Sequence, residues 1–234
     1  MTRLAEGRST HLDRSEIAQE TLRLFDEGGD PSIRQLAKVL GVTPSAIYHH
    51  FDSRAQIVQE ATAIVFAEIL ANVYEQVGDP FEADPVEFLM ATAFETRRAF
   101  CKHFRIAPYM AASPESDELS AGTLSIMANA FERLGLFGES AAEAFYSYST
   151  YTFGNSLFAA NRLAANAALE ISDIEPGRIE KVRSETVPES MSRSRPETRE
   201  AIDRITDLSV LDPLRDEMLF TSGLRRLLES IRAA

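Results

Sequence analysis

The chain has 234 residues, of which 44% are hydrophobic and 26% are charged, so it can bury a sizeable core and global disorder is excluded. A single cysteine, Cys101, excludes an intramolecular disulfide, and the polar N-terminus lacks the apolar stretch of a secretory signal. The longest uncharged run, residues 144–161, is too rich in Ser, Thr, Tyr and Asn for a membrane helix, which needs about 20 mostly apolar residues. These features predict a soluble cytoplasmic protein with no membrane partner.

The acidic net charge of −12 is spread unevenly along the chain. Residues 1–54 hold seven Lys/Arg and eight Asp/Glu, whereas the remainder holds 17 and 28. Within residues 34–54 there are three cations and two histidines against one acid, Asp52. A locally cationic end on an acidic body suits a protein that presents one end to DNA with modest non-specific affinity.

The first two helices are predicted from apolar spacing and from their end signals. Apolar residues recur at helical spacing over about residues 13–27, before Gly28 and its glycine neighbour stop the helix. A second helix should begin after Ser32, because Gln35 stands three residues later as in a capping box. Gly41 is expected to end it.

A third, short helix is predicted to begin at Pro44 and to run to about His50. Thr43 is a preferred N-cap residue, and a proline at the first helical position loses no hydrogen bond. The second and third helices are joined by only three residues, 41–43, which is the spacing of a helix-turn-helix.

A long fourth helix is predicted over about residues 53–77, which makes it roughly 37 Å long at about 1.5 Å per residue. This length would let it carry a movement from the C-terminal part of the chain to the helix-turn-helix. The sequence therefore predicts an all-α fold of about nine to ten helices, with a three-helix DNA-binding domain over residues 1–54 and a ligand-binding and dimerisation domain over 55–234. Residues 170–195 are polar and contain prolines, so they are predicted to form a mobile loop. Further helices are expected at about 84–102, 105–112, 117–135, 139–168, 196–207 and 213–232.

Five short stretches within residues 17–57 form a recognisable pattern. They are Ile17-Ala18, Leu24-Phe25, Ile33-Arg34-Gln35-Leu36-Ala37, Gly41-Val42-Thr43 and Ile47-Tyr48-His49-His50-Phe51-Asp52-Ser53-Arg54. Together they resemble the N-terminal domain of the TetR family of bacterial regulators, whose usual form of the last stretch is a hydrophobic residue, Tyr, any residue, His, Phe, two polar residues and Lys. The match has no gap, whereas the rest of the chain agrees only in being helical and of suitable length.

The resemblance implies which residues meet DNA. Tyr48 and His50 resemble phosphate contacts, while the start of the third helix and His49 face the groove. Arg34 resembles a residue that reaches a base or a phosphate, and Arg54 stands where the family usually has Lys, with a planar fork that could hold a phosphate differently. The predicted DNA-binding residues are Ser32, Arg34, Thr43, Pro44, Ser45, Tyr48, His49, His50 and Arg54.

Recognition chemistry supports several of these roles independently. A recognition helix presents its N-terminal residues to base edges in the major groove. There Ser45 could serve several bases, Pro44 could touch a thymine methyl, and Arg34 could bind a guanine through two hydrogen bonds. The alternative is that Tyr48-His49-His50 forms an ordinary polar helix end. A metal site at the adjacent histidines is not expected, since neighbours on a helix do not share a face, and no cofactor is predicted.

The resemblance also implies a small-molecule cavity between the fourth to eighth helices. An aromatic-rich hollow with a few polar groups is a usual small-molecule site. The alternative is that the same Met and Phe residues form ordinary core and that Arg97 and Arg98 are surface charges. The candidate lining residues are Phe66, Leu70, Phe94, Arg98, His103, Tyr109, Met110, Met127, Phe131, Tyr148 and Asn155.

Two helices are predicted to pair with their symmetry mates in a four-helix dimer interface. The helix over 139–168 combines small residues with many aromatics, which permits close helix packing with a large buried area. The last helix, over 213–232, carries a row of Leu, Met and Ile. The alternative is that both helices only complete the core of the monomer.

The predicted function is a DNA-binding transcriptional regulator. In this hypothesis a homodimer holds two recognition helices about 34–36 Å apart on a palindromic operator, and a small molecule tilts the fourth helix and releases the DNA. Repression relieved by ligand is the family's usual behaviour, and activation is the alternative. The sequence lacks a P-loop, a dinucleotide fingerprint, HExxH and a nucleophile elbow, so an enzyme is not expected. A ligand-independent DNA-binding or protein-interaction module on the same scaffold is the other alternative.

Overall fold

The computed structural model describes residues 12–112, 117–169 and 213–233, and every regular element in these ranges is an α-helix. The prediction of an all-α fold is confirmed. The helix predicted at 196–207 and the loop predicted at 170–195 lie outside the described residues. The helices are α1 Arg14–Asp26, α2 Ile33–Leu40, α3 Pro44–Tyr48, α4 Arg54–Val77, α5 Pro85–Lys102, α6 Ala107–Ala112, α7 Asp117–Arg133, α8 Glu139–Leu169 and α9 Pro213–Ala233.

The chain divides into two compact units, Met1–Ala164 and Ala165–Ala234. The first unit contains α1 to α7 and most of α8, and the second contains the end of α8 and α9. The functional boundary predicted after residue 54 falls at the first residue of α4. This boundary separates a DNA-binding part from a ligand-binding part and is not meant to separate two compact units, so it stays a prediction.

Local hydrogen bonds set the ends of α2 and the start of α3. The backbone N–H of Ser32 donates to Gln35 Oε1 at 2.9 Å, and the backbone N–H of Gln35 donates to Ser32 Oγ at 3.3 Å, which is the predicted capping box. Gly41 ends α2 with a φ of 69°, a left-handed conformation that favours glycine. Thr43 Oγ1 then accepts the N–H of Ala46 at 3.2 Å and caps α3.

One hydrophobic cluster holds the first four helices together. Ile17 of α1, Leu36 of α2, Ile47 of α3 and Ile57 of α4 are almost fully buried in it, with Phe51 from the α3–α4 turn. Because each short helix contributes its apolar side to this cluster, the opposite sides of α2 and α3 stay accessible to solvent.

Helix α4 runs along the first unit and packs against both α1 and α5. Its length and its mean hydropathy of 1.3 over an 18-residue window would suffice to cross a membrane, by length and composition alone. The central helix of a soluble domain passes the same test, and the contacts with α1 and α5 are those of a central helix. Its buried residues include Ile57, Ala61, Val65, Ile69 and Val73.

Candidate DNA interface and ligand cavity

The outer face of α3 is polar and open to solvent. The side chain of Tyr48 is 54% exposed, whereas Ile47 beside it is fully buried in the core. His50 is half-buried at the end of the turn. The other predicted contacts on this helix are all exposed, namely Pro44, Ser45 and His49.

Helix α2 adds two exposed cations to this surface, Arg34 and Lys38. Among residues 12–112, 117–169 and 213–233, none forms an ion pair with either side chain. Ser32 and Thr43 are also exposed, but their side chains already cap α2 and α3. A phosphate contact from either hydroxyl would therefore share an oxygen that accepts a backbone N–H.

Arg54, at the start of α4, is bound within the protein. Its guanidinium forms an ion pair with Asp30, and its Nε donates to the carbonyl oxygen of Pro31 at 2.9 Å. About a third of the side chain is exposed. The charge predicted to meet a phosphate is thus shared with the carboxylate of Asp30 in the α1–α2 loop.

Arg14 of α1 contacts the turn between α3 and α4, which the sequence did not predict. Its guanidinium donates to the carbonyl oxygen of His50, lies 3.0 Å from Glu60 Oε2, and sits 4.1 Å from the ring centroid of Phe51. These partners are 36 to 46 residues away along the chain. No local pattern signals such a contact.

The end of α1 and the α1–α2 loop also contact the region around α6. The buried imidazole of His103 places Nδ1 2.9 Å from the carboxylate of Asp26, and Arg105 donates to the carbonyl oxygen of Asp26 at 3.2 Å. The hydroxyl of Tyr109 donates to Asp30 at 3.5 Å, and its ring packs edge-on against Phe25 with centroids 5.6 Å apart. His103 and Tyr109, both predicted to line the cavity, therefore contact α1 and the α1–α2 loop instead.

A cavity lies among α4, α5, α7 and the first half of α8, with an empty volume of about 960 Å³ that includes its opening to solvent. Its apolar lining residues are Ala63, Phe66, Ile69, Leu70, Val73, Phe88, Leu124, Ile126, Met127, Phe145 and Phe153. Its polar lining residues are all uncharged, and they are Gln59, Thr62, Thr92, Thr96, Thr123, Tyr148, Ser149 and Thr152.

Four of the predicted residues line this cavity: Phe66, Leu70, Met127 and Tyr148. The hydroxyl of Tyr148 donates to the carbonyl oxygen of Leu89 at 2.7 Å. Burial raises the pKa of this hydroxyl, so the phenol stays neutral at any physiological pH.

The other predicted liners stand outside the cavity. Phe131 is fully buried and packs edge-on against Tyr148, with centroids 6.1 Å apart. Arg98 is 72% exposed and pairs with Glu95 at 3.1 Å. Asn155 accepts hydrogen bonds from Arg97. Met110 is buried in α6, and Phe94 is half-buried on α5.

The threonine lining was missed, although the sequence carries a signal for it. Thr92 and Thr96 are four residues apart on α5, in line with Phe88, so all three share one helix face. Hydroxyls recurring at this spacing within an apolar helix indicate a face that meets a partly polar space.

No group of three or more His, Cys, Asp or Glu residues that could hold a metal ion occurs in the described part of the chain. The paired histidines at 49 and 50 therefore have no further ligand in the described structure. The surface around α3 is suited to hydrogen bonding and ion pairing, and the cavity is suited to a small organic molecule.

Comparison with known proteins gives one family. Residues 17–61 match the model of bacterial regulatory proteins of the tetR family. No curated protein matches the chain.

Solved structures match over nearly the whole chain. A possible TetR family transcriptional regulator from Streptomyces coelicolor A3(2) shares 22% identity and a TM-score of 0.69, covering 94% of this chain and 99% of that one. ActR from Streptomyces coelicolor in complex with actinorhodin shares 19% identity and a TM-score of 0.67, covering 96% and 97%. A TetR variant from Acinetobacter baumannii AYE in complex with minocycline shares 24% identity and a TM-score of 0.57, covering 69% and 87%. At these sequence identities the comparison shows a shared fold.

Proposed function

We propose that the chain is a transcriptional repressor of the TetR family that is released from its operator by a small molecule, because residues 17–61 match the model of that family and its solved structures share the fold of this chain. It would act as a soluble cytoplasmic homodimer on double-stranded DNA and without catalytic activity of its own. The observation that carries the DNA-binding part is the exposed polar face of α3 with Tyr48 at its end.

The surface chemistry supports insertion of α3 into the major groove. The first residues of α3, Pro44 and Ser45, are exposed where a recognition helix meets base edges. Tyr48 and His50 lie at the other end, where side chains contact phosphates and fix the register on the duplex. Arg34, on the adjacent helix, has a free guanidinium fork within the described structure, which fits a guanine edge.

Helix α4 provides the physical link between ligand and DNA. Gln59, Phe66 and Val73 of this helix line the cavity, while Arg54 at its start is bound to the α1–α2 loop. A ligand that favours one position of α4 would therefore favour one position of the helix-turn-helix. A hundredfold difference in ligand affinity between the two states corresponds to about 2.7 kcal/mol of coupling. The bound actinorhodin of ActR and the bound minocycline of the TetR variant support a ligand in this fold.

Exposed apolar side chains support the dimer. On α8, Tyr146 and Phe158 are largely exposed, and on α9 Met218 is largely exposed and Leu219 is partly exposed. Large apolar groups exposed on a helix are typical of surfaces that are covered by a partner. A twofold dimer would then bring two copies of α3 to one face.

Selection of bound sites from a pool of random duplexes tests this proposal. We expect enrichment of two inverted half-sites with centres about 10 base pairs apart or a multiple of that. The Arg34→Ala variant should lose the preference at one base position in each half-site if the guanidinium contacts a base. Recovery of no common sequence would contradict specific DNA binding, and recovery of single, unpaired half-sites would contradict the dimer.

A further inference from the structure

We propose that the cavity among α4, α5, α7 and α8 takes an uncharged, mainly apolar compound and rejects both carboxylates and ammonium ions. The inference rests on the proposed function, because it specifies the chemical class of the effector. It is carried by the chemistry of the lining, which combines aliphatic and aromatic side chains with neutral hydroxyls and a single amide.

Ionised ligands would find no counter-charge in this cavity. None of the described lining residues is Lys, Arg, His, Asp or Glu. An ion transferred from water to such a surrounding loses its hydration and gains no partner of opposite sign, so its binding is strongly disfavoured. A neutral apolar compound gains from the same surrounding by leaving water.

Charged residues on the neighbouring faces are engaged elsewhere. Glu95 of α5 accepts hydrogen bonds from Asn72 at 3.0 Å, from Gln76 at 2.7 Å and from Arg98 at 3.1 Å. Arg97, also on α5, donates to Asn155. Neither side chain lines the cavity, although Thr92 and Thr96 on the same helix do.

Several lining hydroxyls already donate their protons to backbone carbonyl oxygens. Thr62 donates to the carbonyl oxygen of Gln59 at 2.8 Å, Thr92 donates to that of Phe88 at 2.8 Å, and Tyr148 donates to that of Leu89 at 2.7 Å. Their oxygens keep only lone pairs for a ligand. These groups therefore suit a hydroxyl or N–H donor of a neutral compound, and they offer no protons to a carboxylate.

Three naphthalene derivatives of similar size test the proposal on the full-length protein. Methyl naphthoate is neutral, naphthoate is an anion, and naphthylmethylammonium is a cation. We expect isothermal titration calorimetry to show that the ester binds at least about tenfold more tightly than either ion, since an unpaired buried charge costs more than an ordinary unmade hydrogen bond. Equal or tighter binding of either ion would overturn the proposal, and so would failure of the ester to bind.

A substitution in the lining gives a second, matched test. Gln59→Glu keeps the size of the side chain and adds a negative charge to the lining, so the ratio of ammonium to ester affinity should rise by about tenfold or more. Gln19→Glu adds the same charge to the exposed face of α1 and should leave the ratio unchanged. An unchanged ratio in Gln59→Glu, or an equal rise in the control, would overturn the assignment.

The same preparations separate this inference from the proposed function. Tight binding of an ion that also releases operator DNA would overturn the ligand class and leave ligand-controlled DNA binding intact. If the neutral ester binds but none of the three compounds changes the affinity for operator DNA, the ligand class is upheld and control of DNA binding by the ligand is contradicted.

Discussion

At the scale of single residues, Tyr48 and Arg34 differ in charge, so their expected contributions to DNA binding differ in kind. Tyr48→Ala removes a hydrogen bond from a neutral phenol to an anionic phosphate, which is worth about 1.5–3 kcal/mol or roughly ten- to 150-fold in affinity. The loss should be similar for operator and random duplexes, because phosphates carry no sequence information. The slope of log affinity against log salt should not change, since no charge is lost. Fluorescence anisotropy of labelled duplexes measures both quantities.

Tyr74→Ala is the matched control for this change. Tyr74 is also exposed, but it lies near the far end of α4 from the helix-turn-helix. Its replacement should leave DNA affinity unaltered. Unchanged affinity in Tyr48→Ala itself would remove this tyrosine from the DNA contacts.

The exposure of the polar face of α3 could be predicted because it depends on neighbours close in sequence. The exposure of Tyr48 follows from the burial of Ile47 on the other side of the same short helix. The ion pair of Arg54 with Asp30 and the contacts of Arg14 with the α3–α4 region could not be predicted in this way. Those contacts depend on how distant helices cross, which no local spacing fixes.

At the scale of helices, Lys102 and Glu68 link α5 to α4. Nζ of Lys102 lies 2.5 Å from Glu68 Oε1, and this hydrogen bond is the main reason why the pKa of the Glu68 carboxyl lies below its usual value of 4.5. His103, 3.7 Å from Glu68 Oε2, lowers the pKa further, while partial burial opposes the shift. The link should therefore stabilise the fold only while Glu68 is ionised.

Lys102→Gln should raise the pKa of Glu68 toward its usual value. A carboxyl whose pKa is depressed on folding contributes stability above its unfolded pKa, and that contribution is lost as the pH falls through the folded pKa. The variant should therefore melt below the parent at neutral pH, and the difference should shrink as the pH falls below about 4.5. The effect should be small, since both side chains are more than a third exposed.

Thermal melts across this pH range, with an NMR titration of the Glu68 carboxyl, measure the effect. Lys38→Gln is the control, because it removes a lysine that pairs with no described residue. Its melting temperature should equal that of the parent at every pH. An identical Glu68 titration in parent and Lys102→Gln would contradict the assigned cause of the shift.

The helices themselves were predicted within about two residues because their ends are chemically marked. The start of α2 is fixed by Ser32 with Gln35, and its end by Gly41. The start of α3 is fixed by Thr43 with Pro44. All of these contacts are made within a few residues of the helix end. The cavity could be predicted only in part. Phe131 and Met127 are both apolar and four residues apart on α7, yet only Met127 lines the cavity. Because residues four apart lie on the same face of a helix, the difference comes from their positions along α7 relative to the cavity, which apolar composition does not determine.

At the scale of the whole molecule, charge distribution decides how the protein can approach DNA. The net charge of −12 opposes association with a polyanion. The proposed DNA binding therefore requires a local surface of opposite character, and the exposed cations of α2 lie beside the polar face of α3. Non-specific affinity should be modest, and it should be sensitive to salt because each phosphate that is neutralised releases counterions.

The most direct test of DNA binding through α2 and α3 is the salt dependence of the affinity of the full-length protein for double-stranded DNA. We predict that log affinity falls linearly with log salt concentration, by about 0.9 for each phosphate neutralised, and that the operator selected above binds more tightly than random duplexes at every salt concentration. Absence of any salt-sensitive binding to double-stranded DNA would contradict it.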